Sequence, residues 1–199
     1  MTSDSQIANP HDYQSVAGDL ILSVSEAKQY AEFDHTNDDD NIFAEMLRSI
    51  QSQLENRTNR AFTSQTRIHM DDEFPTDCRL QLKFGPLVSV TSVESHDGTS
   101  FNTYSSSNYR VDTAREPGLI VLEDTASWPT VGRNTDGVKI TYVAGMTSSH
   151  PLWMVARHAV RLAVKMATEC RTDYEVRPDG ALESLIRRLS LRGWPGAPA

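Results

Sequence analysis

The spacing of apolar residues changes twice along this chain of 199 residues, and these changes constrain the fold more than any other feature. Up to about residue 60, apolar side chains recur with a period of roughly 3.6 residues, as in an amphipathic α-helix. From Ala61 they alternate with polar residues, which is the pattern of a strand with one buried face. Helical spacing returns after Pro151. The pattern therefore predicts two helices, a β region and two further helices.

Four segments carry the helical pattern. The first runs from about 24 to 33 and begins at a capping box, because the Ser23 side chain can accept a hydrogen bond from the third helical N–H while Glu26 reaches back. Apolar residues between 42 and 54 form one face of the second helix. The third helix begins after the proline, and the last lies near 180–191.

The β region consists of short apolar or alternating runs separated by Ser, Thr, Asn and Gly. We expect roughly six strands between 62 and 143. The runs assigned to strands are 79–84, 88–93, 109–111, 119–122 and 138–142. Asp97-Gly98 predicts a tight turn after the second of these runs.

These elements predict an α+β fold. It is a four-helix bundle, with two N-terminal and two C-terminal helices, that carries an inserted antiparallel β domain and flexible terminal arms. The predicted divisions are a flexible arm at 1–20, the first part of the bundle at 21–61, the β insertion at 62–148, the second part of the bundle at 149–192 and a C-terminal tail at 193–199. The arms are expected to be flexible because they are polar and show no apolar period.

The formal net charge of −8 is distributed unevenly. Residues 1–60 contain 4 basic and 11 acidic side chains, residues 61–150 contain 7 and 11, and residues 151–199 contain 8 and 5. The overall acidity disfavours nucleic-acid binding through phosphate neutralisation. The asymmetry is compatible with solubility alone. It is also compatible with head-to-tail association, in which the basic end of one copy meets the acidic start of the next.

No motif predicts an active site or a cofactor. The sequence contains no phosphate-binding loop, no dinucleotide fingerprint, no G-x-S-x-G and no H-E-x-x-H. The six histidines show no recognised metal spacing. The acidic stretch 34–45 has the length of a calcium loop, but Asp39 stands where that loop needs glycine, so the start of a helix is the favoured interpretation.

The sequence also argues against a membrane or secreted protein. No apolar run approaches the ~20 residues of a membrane span. Residues 1–12 are polar and lack the pattern of a signal peptide. Cys78 and Cys170 are far apart, which fits a reducing compartment without a disulfide framework.

Several short segments occur in an order and at spacings typical of one family. They are LSVSEAK at 22–28, LENRTNRAF at 54–62, LQLKFGPLVSV at 80–90, Trp-Pro at 128–129 and VKITYVAG at 138–145, followed by Pro151. In these features the chain resembles the head–tail connector (portal adaptor) proteins of long-tailed bacteriophages and gene transfer agents. The resemblance covers about residues 20–191.

The resemblance implies a homo-oligomeric ring, with about twelve copies expected, below the portal protein. Such a ring acts after DNA packaging, extends the exit channel and receives the stopper or tail-completion protein. DNA passes through it without specific binding. The resemblance implies assembly in the host cytoplasm, a place at the head–tail interface of the virion, and no catalytic residue, cofactor, metal or membrane.

Two groups of residues are candidate contact sites. Arg157, Arg161 and Lys165, spaced four apart on the third helix, are predicted to form part of an inter-subunit face, with a solvated helix flank as the alternative. Arg187, Arg188, Arg192 and Trp194 are predicted to form a tail that docks on the portal, with simple terminal fraying as the alternative.

A second function from another class stays open. A β-sandwich module that binds carbohydrate or a receptor, with the helices as an oligomerisation frame, also fits the order of the elements. A small hydrolase is disfavoured because its motifs are absent. A ring that binds portal protein indicates the connector, whereas a monomer that binds glycans indicates the module.

Overall fold

The computed structural model describes residues 11–32, 40–170 and 180–191. Their elements, in chain order, are β1 (His11–Val16), α1 (Val24–Tyr30), α2 (Asp40–Thr58), β2 (Gln65–Asp71), β3 (Arg79–Gln81), β4 (Leu87–His96), β5 (Phe101–Thr103), β6 (Tyr109–Asp112), β7 (Leu119–Leu122), β8 (Val138–Ala144), α3 (Trp153–Cys170) and α4 (Gly180–Leu189). The predicted α+β class, with four helices and antiparallel strands, is confirmed. The arrangement of the helices as a regular four-helix bundle stays a prediction.

The described residues form two compact units. The β unit comprises residues 11–17 and 65–144, and the helical unit comprises the described parts of 18–64 and 145–191. The second unit is discontinuous in sequence, with the β strands from 65 onward inserted between its halves.

The helical unit has one apolar core to which every helix contributes. On α2 the buried side chains follow the helical period, at Leu47, Ile50 and Leu54. On α3 the buried positions are small, which lets neighbouring helices approach closely; they are Ala156, Ala159, Val160, Ala163 and Val164. Each Leu or Ile that is fully buried here stabilises the fold by roughly 1.5–3 kcal/mol relative to exposure.

A buried carboxylate joins the two ends of the segment that contains α2. Glu55 accepts hydrogen bonds from the backbone N–H of Phe62 at 2.8 Å and from the Gln51 amide at 3.2 Å. The Gln51 side chain in turn accepts from the N–H of Ile21 at 2.9 Å and donates to the carbonyl of Asp19 at 3.2 Å. These bonds satisfy polar groups that are removed from water, and they fix the paths into and out of α2.

The C-terminal end of α4 is capped from the segment after α2. Arg60 donates through Nε to the Leu189 carbonyl at 2.8 Å, and the N–H of Leu191 donates to the Thr58 carbonyl at 3.0 Å. The last carbonyls of a helix lack partners within the helix, and a cation there also complements its dipole. These bonds therefore join the end of α2 and the segment after it to the end of α4.

In the β unit the strands form two antiparallel sheets. The larger has the order β1-β2-β8-β4-β5 and the smaller has the order β3-β7-β6. β8 lies at the centre of the larger sheet, between β2 and β4. Its alternate residues Val138, Ile140, Tyr142 and Ala144 are buried, as the alternating pattern of this run predicted.

The N-terminal segment differs from its prediction. A flexible arm was expected over 1–20, but residues His11–Val16 form β1, which pairs with β2 so that Asp12 faces His69 and Gln14 faces Arg67. The prediction is wrong for these residues because their polar side chains find buried partners on β2. The arm at 1–10 and the tail at 193–199 lie outside the described residues.

Besides β1, two strands of the β unit, β2 and β5, were not assigned from the sequence. β2 buries Gln65, Arg67 and His69, so its buried positions are polar and hide the alternation. β5, with three residues, is too short to give a pattern. The predicted strand at 79–84 is confirmed only over Arg79–Gln81.

The turn predicted at Asp97-Gly98 is confirmed and closes the hairpin between β4 and β5. One carboxylate oxygen of Asp97 accepts from the N–H groups of Thr99 at 2.7 Å and Ser100 at 2.8 Å. Gly98 has a φ of 102°, a conformation that side-chain-bearing residues rarely adopt.

Candidate functional site

The first residue of the predicted α3 face has its partners within its own chain. The Arg157 guanidinium lies 2.6 Å from the Glu26 carboxylate and donates to the Ile21 carbonyl at 3.2 Å. Its side chain is 19% exposed. Arg157 therefore holds α1 and the segment before it against α3.

The other two residues of that face are more open. The Arg161 guanidinium is 4.0 Å from Glu26 and 6.0 Å from the centre of the Tyr30 ring, and its side chain is 30% exposed. The Lys165 ammonium is 4.0 Å from Glu169, one turn further along α3, with 39% of its side chain exposed. A neighbouring molecule can reach both groups without breaking a short contact. The assignment of these three residues to an inter-subunit face stays a prediction.

Glu26 has two tasks in this region. Its Oε2 accepts hydrogen bonds from the backbone N–H of Ser23 at 3.1 Å and from the Ser23 hydroxyl at 3.2 Å, which is half of the predicted capping box. Its Oε1 receives Arg157. The Ser23 backbone N–H, followed by Arg157, lowers the pKa of Glu26 below its ordinary value. One carboxylate thus caps α1 and compensates the basic face of α3.

A cavity of ≈ 290 Å³ lies beside Arg161 in the helical unit. It is lined by Glu26, Gln29, Tyr30 and Arg161. Gln29 and Tyr30 were not candidates in the sequence. Their positions, three and four residues after Glu26 on the same helix, are the signal that could have placed them on the Arg161 side of α1.

The predicted portal-binding residues are only partly described. The Arg187 side chain is 80% exposed and lies 4.0 Å from the Glu183 carboxylate on the same helix. Arg188 follows it and is exposed as well. Two cations in the last turn of α4 complement the helix dipole. Arg192 and Trp194 lie outside the described residues.

The β unit carries an aromatic cluster that the sequence did not reveal. Phe74 and Trp128 stack with ring centres 4.8 Å apart, and Tyr104 lies 6.2 Å from Trp128 and 6.1 Å from Tyr109. The Trp128 indole N–H donates to the Asp77 carbonyl at 2.9 Å, which fixes its orientation. All four rings are half-buried, so part of each remains accessible. The rings come from separate loops and one strand, so no local pattern brings them together.

A buried ionic network lies beneath β1. Arg67 pairs with Asp12 at 2.5 Å and lies over the Phe84 ring at 3.4 Å, while the Tyr142 hydroxyl donates to Asp12. Burial raises the pKa of Asp12 against the opposing effect of Arg67. Burial, together with the Asp12 charge, raises the pKa of Tyr142 well above its ordinary value. These charged and polar side chains pair with one another, which is typical of a network that stabilises the fold.

Comparison with known proteins identifies the fold. No protein-family model and no curated protein sequence matches the chain. A chain of the "Neck of empty GTA particle computed with C6 symmetry" matches with a TM-score of 0.73 and 20% identity, over 94% of this chain and 100% of that one. This chain has the fold of a gene transfer agent neck chain. The resemblance to head–tail connectors is thereby confirmed at the level of the fold.

Two further structures contain a chain of similar fold. A chain of the "Virion of native gene transfer agent (GTA) particle" gives a TM-score of 0.72 at 20% identity, over 94% of this chain and 99% of that one. A chain of the "Neck of native GTA particle computed with C12 symmetry" gives 0.68 at 22% identity, over 94% and 100%. Because each match covers 94% of this chain, the likeness extends over both the helical unit and the β unit.

Among the described residues, no group of three or more His, Cys, Asp and Glu side chains is placed so that it could hold a metal ion. No helix among the described residues is long and apolar enough to cross a bilayer.

Proposed function

We propose that this protein is a structural head–tail connector of a tailed, phage-like particle. Its copies form a ring below the portal, extend the DNA exit channel and receive the stopper or tail-completion protein. The observation that supports this most is the neck fold, which covers 94% of the chain. The neck structures with this fold were computed with C6 and C12 symmetry, which supports a homo-oligomeric ring. The C12 symmetry of one of them agrees with our expectation of twelve copies.

The ring interface uses different surfaces on its two sides. In a cyclic ring one face of each copy meets another face of the next, so the two faces need complementary rather than identical chemistry. The open basic groups of α3, Arg161 and Lys165, provide one face, with Arg157 supporting them from within the chain. The acidic N-terminal third of the chain provides the other.

The end of α4 faces the portal. Arg187 and Arg188 are exposed there, and Arg192 and Trp194 follow in the sequence. Arginine and tryptophan are the side chains most enriched at the energetic centres of protein interfaces. Deletion of residues 193–199 is expected to weaken portal attachment and leave the thermal unfolding of the chain unchanged.

The role of the protein is mechanical rather than catalytic, and its place is the head–tail interface of the virion. A net charge of −8 on each copy neutralises few DNA phosphates, so DNA can slide through the ring without being held. The two buried groups whose pKa is raised, Asp12 and Tyr142, are engaged with each other and with Arg67 inside the β unit.

Mass photometry of the protein, alone and mixed with portal protein from the same genome, tests this function. We expect a complex that contains about twelve copies of the chain per portal ring. A protein that stays monomeric at every ratio and does not bind portal contradicts the proposal. A variant with Arg110→Glu, an exposed change on β6, serves as a control for unspecific charge effects.

The aromatic cluster favours a second candidate function, carbohydrate or receptor binding by the β unit. Partly open rings such as Trp128 and Tyr104 can contact apolar ligand faces. Calorimetric titration with a glycan panel tests this, with Trp128→Ala as the matched variant. Binding that disappears in the variant supports the module, and absence of binding by the wild type rejects it.

A further inference from the structure

The region between α1 and α3 carries an excess of positive charge. Among the described residues, Glu26 is the acid near both Arg157 and Arg161, at 2.6 Å and 4.0 Å. Its other oxygen is already bonded to Ser23. One carboxylate therefore faces two guanidinium groups, and the longer contact leaves Arg161 weakly compensated.

The side chains that line the cavity beside Arg161 are suited to binding a carboxylate. Gln29 and Tyr30, whose side chains can form hydrogen bonds, line it together with Arg161, in a volume of ≈ 290 Å³. An incoming carboxylate can accept charge-assisted hydrogen bonds from Arg161, which are about twice as strong as neutral ones.

A matching acidic surface lies at the start of α2. Glu45 is exposed and makes no ion pair with any described residue. Ile42, three residues earlier and on the same side of the helix, is 62% exposed. An uncompensated carboxylate beside an exposed large apolar side chain is typical of a surface that is covered in an assembly.

Helix α3 also carries an exposed apolar side chain in line with a charged one. Met154 is 65% exposed and lies seven residues before Arg161, which places both on one stripe of α3. Each copy thus presents one apolar and basic surface and one apolar and acidic surface. In a closed ring the basic surface of every copy can contact the acidic surface of the next copy. In an isolated copy both surfaces stay exposed to solvent.

We infer that the cavity lined by Glu26, Gln29, Tyr30 and Arg161 is a carboxylate-binding site that receives Glu45 of a second copy. Ile42 of that copy packs beside the site, where it can contact the exposed Met154 side chain on α3. The inference rests on the proposed ring and names the residues that close it. The two surfaces are complementary in charge, and every copy supplies both.

A charge exchange in the full-length protein tests the contact. Glu45→Arg and Arg161→Glu should each raise the concentration at which rings form on portal by at least about tenfold, because each places like charges together. The double variant should assemble within about threefold of the wild type, since it restores the opposite pair. Arg110→Glu, an exposed change on β6 of the β unit and outside the proposed contact, should have no effect.

Milder variants keep the test decisive if a reversal disturbs folding. Glu45→Gln and Arg161→Gln remove one charge each, and both should weaken assembly while thermal unfolding stays close to that of the wild type. Normal rings in all four single variants overturn the contact and leave the connector function standing. Single variants that fail without rescue by the double variant also overturn it. A wild type that never forms rings overturns the connector function and this contact together.

Discussion

The carboxylate of Asp12 and the guanidinium of Arg67 form an ion pair of 2.5 Å inside the β unit, with side chains 0% and 4% exposed. Asp12 lies on β1, and Arg67 lies on the neighbouring β2. The hydroxyl of Tyr142, which lies on β8, donates a further hydrogen bond to the Asp12 carboxylate. The pair therefore fastens the N-terminal strand to the centre of the larger sheet.

Replacement of Arg67 by methionine removes the cation and leaves the Asp12 carboxylate buried. Breaking a buried pair from one side costs roughly 3–5 kcal/mol of the free energy of unfolding. Urea denaturation measures this loss. The double variant Asp12→Asn with Arg67→Met should lose less than the sum of the single changes, because no buried charge is then left unpaired.

Arg110 provides the control for this prediction. It is an exposed arginine of β6 in the same unit, and Arg110→Met should change the free energy of unfolding by less than about 0.5 kcal/mol. Equal effects of the two arginine changes would show that the buried pair does not hold β1.

Asp97 gives a prediction about pH. Hydrogen bonds from the backbone N–H groups of Ser100 and Thr99, and from the Asn102 side chain, lower the pKa of Asp97 from 3.8 to about 2. The bonds favour the ionised form, so their contribution to stability is fully present above 3.8 and is lost as the pH falls towards 2. An NMR titration of the carboxyl carbon should give a midpoint near the lower value. A midpoint at the ordinary value of an aspartate contradicts the geometry of this turn.

Gly145 should not tolerate a side chain. Its φ is 155°, and a Cβ atom there would lie 2.4 Å from the Thr63 carbonyl oxygen. Gly145→Ala is therefore expected to lower the free energy of unfolding by more than about 1 kcal/mol, as measured by thermal denaturation. Gly180 at the start of α4 has nothing within 4 Å of such an atom, so Gly180→Ala is the matched control and should be neutral or slightly stabilising.

Removal of the Glu26 charge should loosen α1. Glu26→Gln weakens the capping box and the ion pair with Arg157, at an expected cost of about 0.5–1 kcal/mol for such an exposed group. Because the pKa of Glu26 is lowered in the fold, its contribution is present above the ordinary value of 4.5 and is lost as the pH falls below it. Glu73→Gln, an exposed change in the β unit, should have no comparable effect. An identical melting temperature for both variants at neutral pH would reject the role of Glu26.

The helices could be predicted from the sequence because their apolar faces repeat with a clear period. The capping box of α1 is confirmed at Ser23 and Glu26. β1 and β2 could not be predicted, since their buried positions hold charged or polar residues whose partners lie on another strand. A prediction from apolar periodicity assumes that buried side chains are apolar. It fails where two buried polar side chains form a hydrogen bond or ion pair with each other.

The contacts of the candidate site could likewise be predicted only in part from the sequence. The spacing of Arg157, Arg161 and Lys165 predicted that they share one side of α3. It could not show that Arg157 is bonded to Glu26, which lies 131 residues earlier in the chain. Nor could it show that Tyr30 and Gln29 form a cavity with Arg161. These relationships arise only when α1 packs against α3.

Electron microscopy of the protein bound to the portal of its own particle tests the central claim most directly. The account predicts closed rings of about twelve copies, coaxial with the portal and continuous with its channel. Isolated monomers, or copies scattered on the particle surface away from the portal, would contradict it.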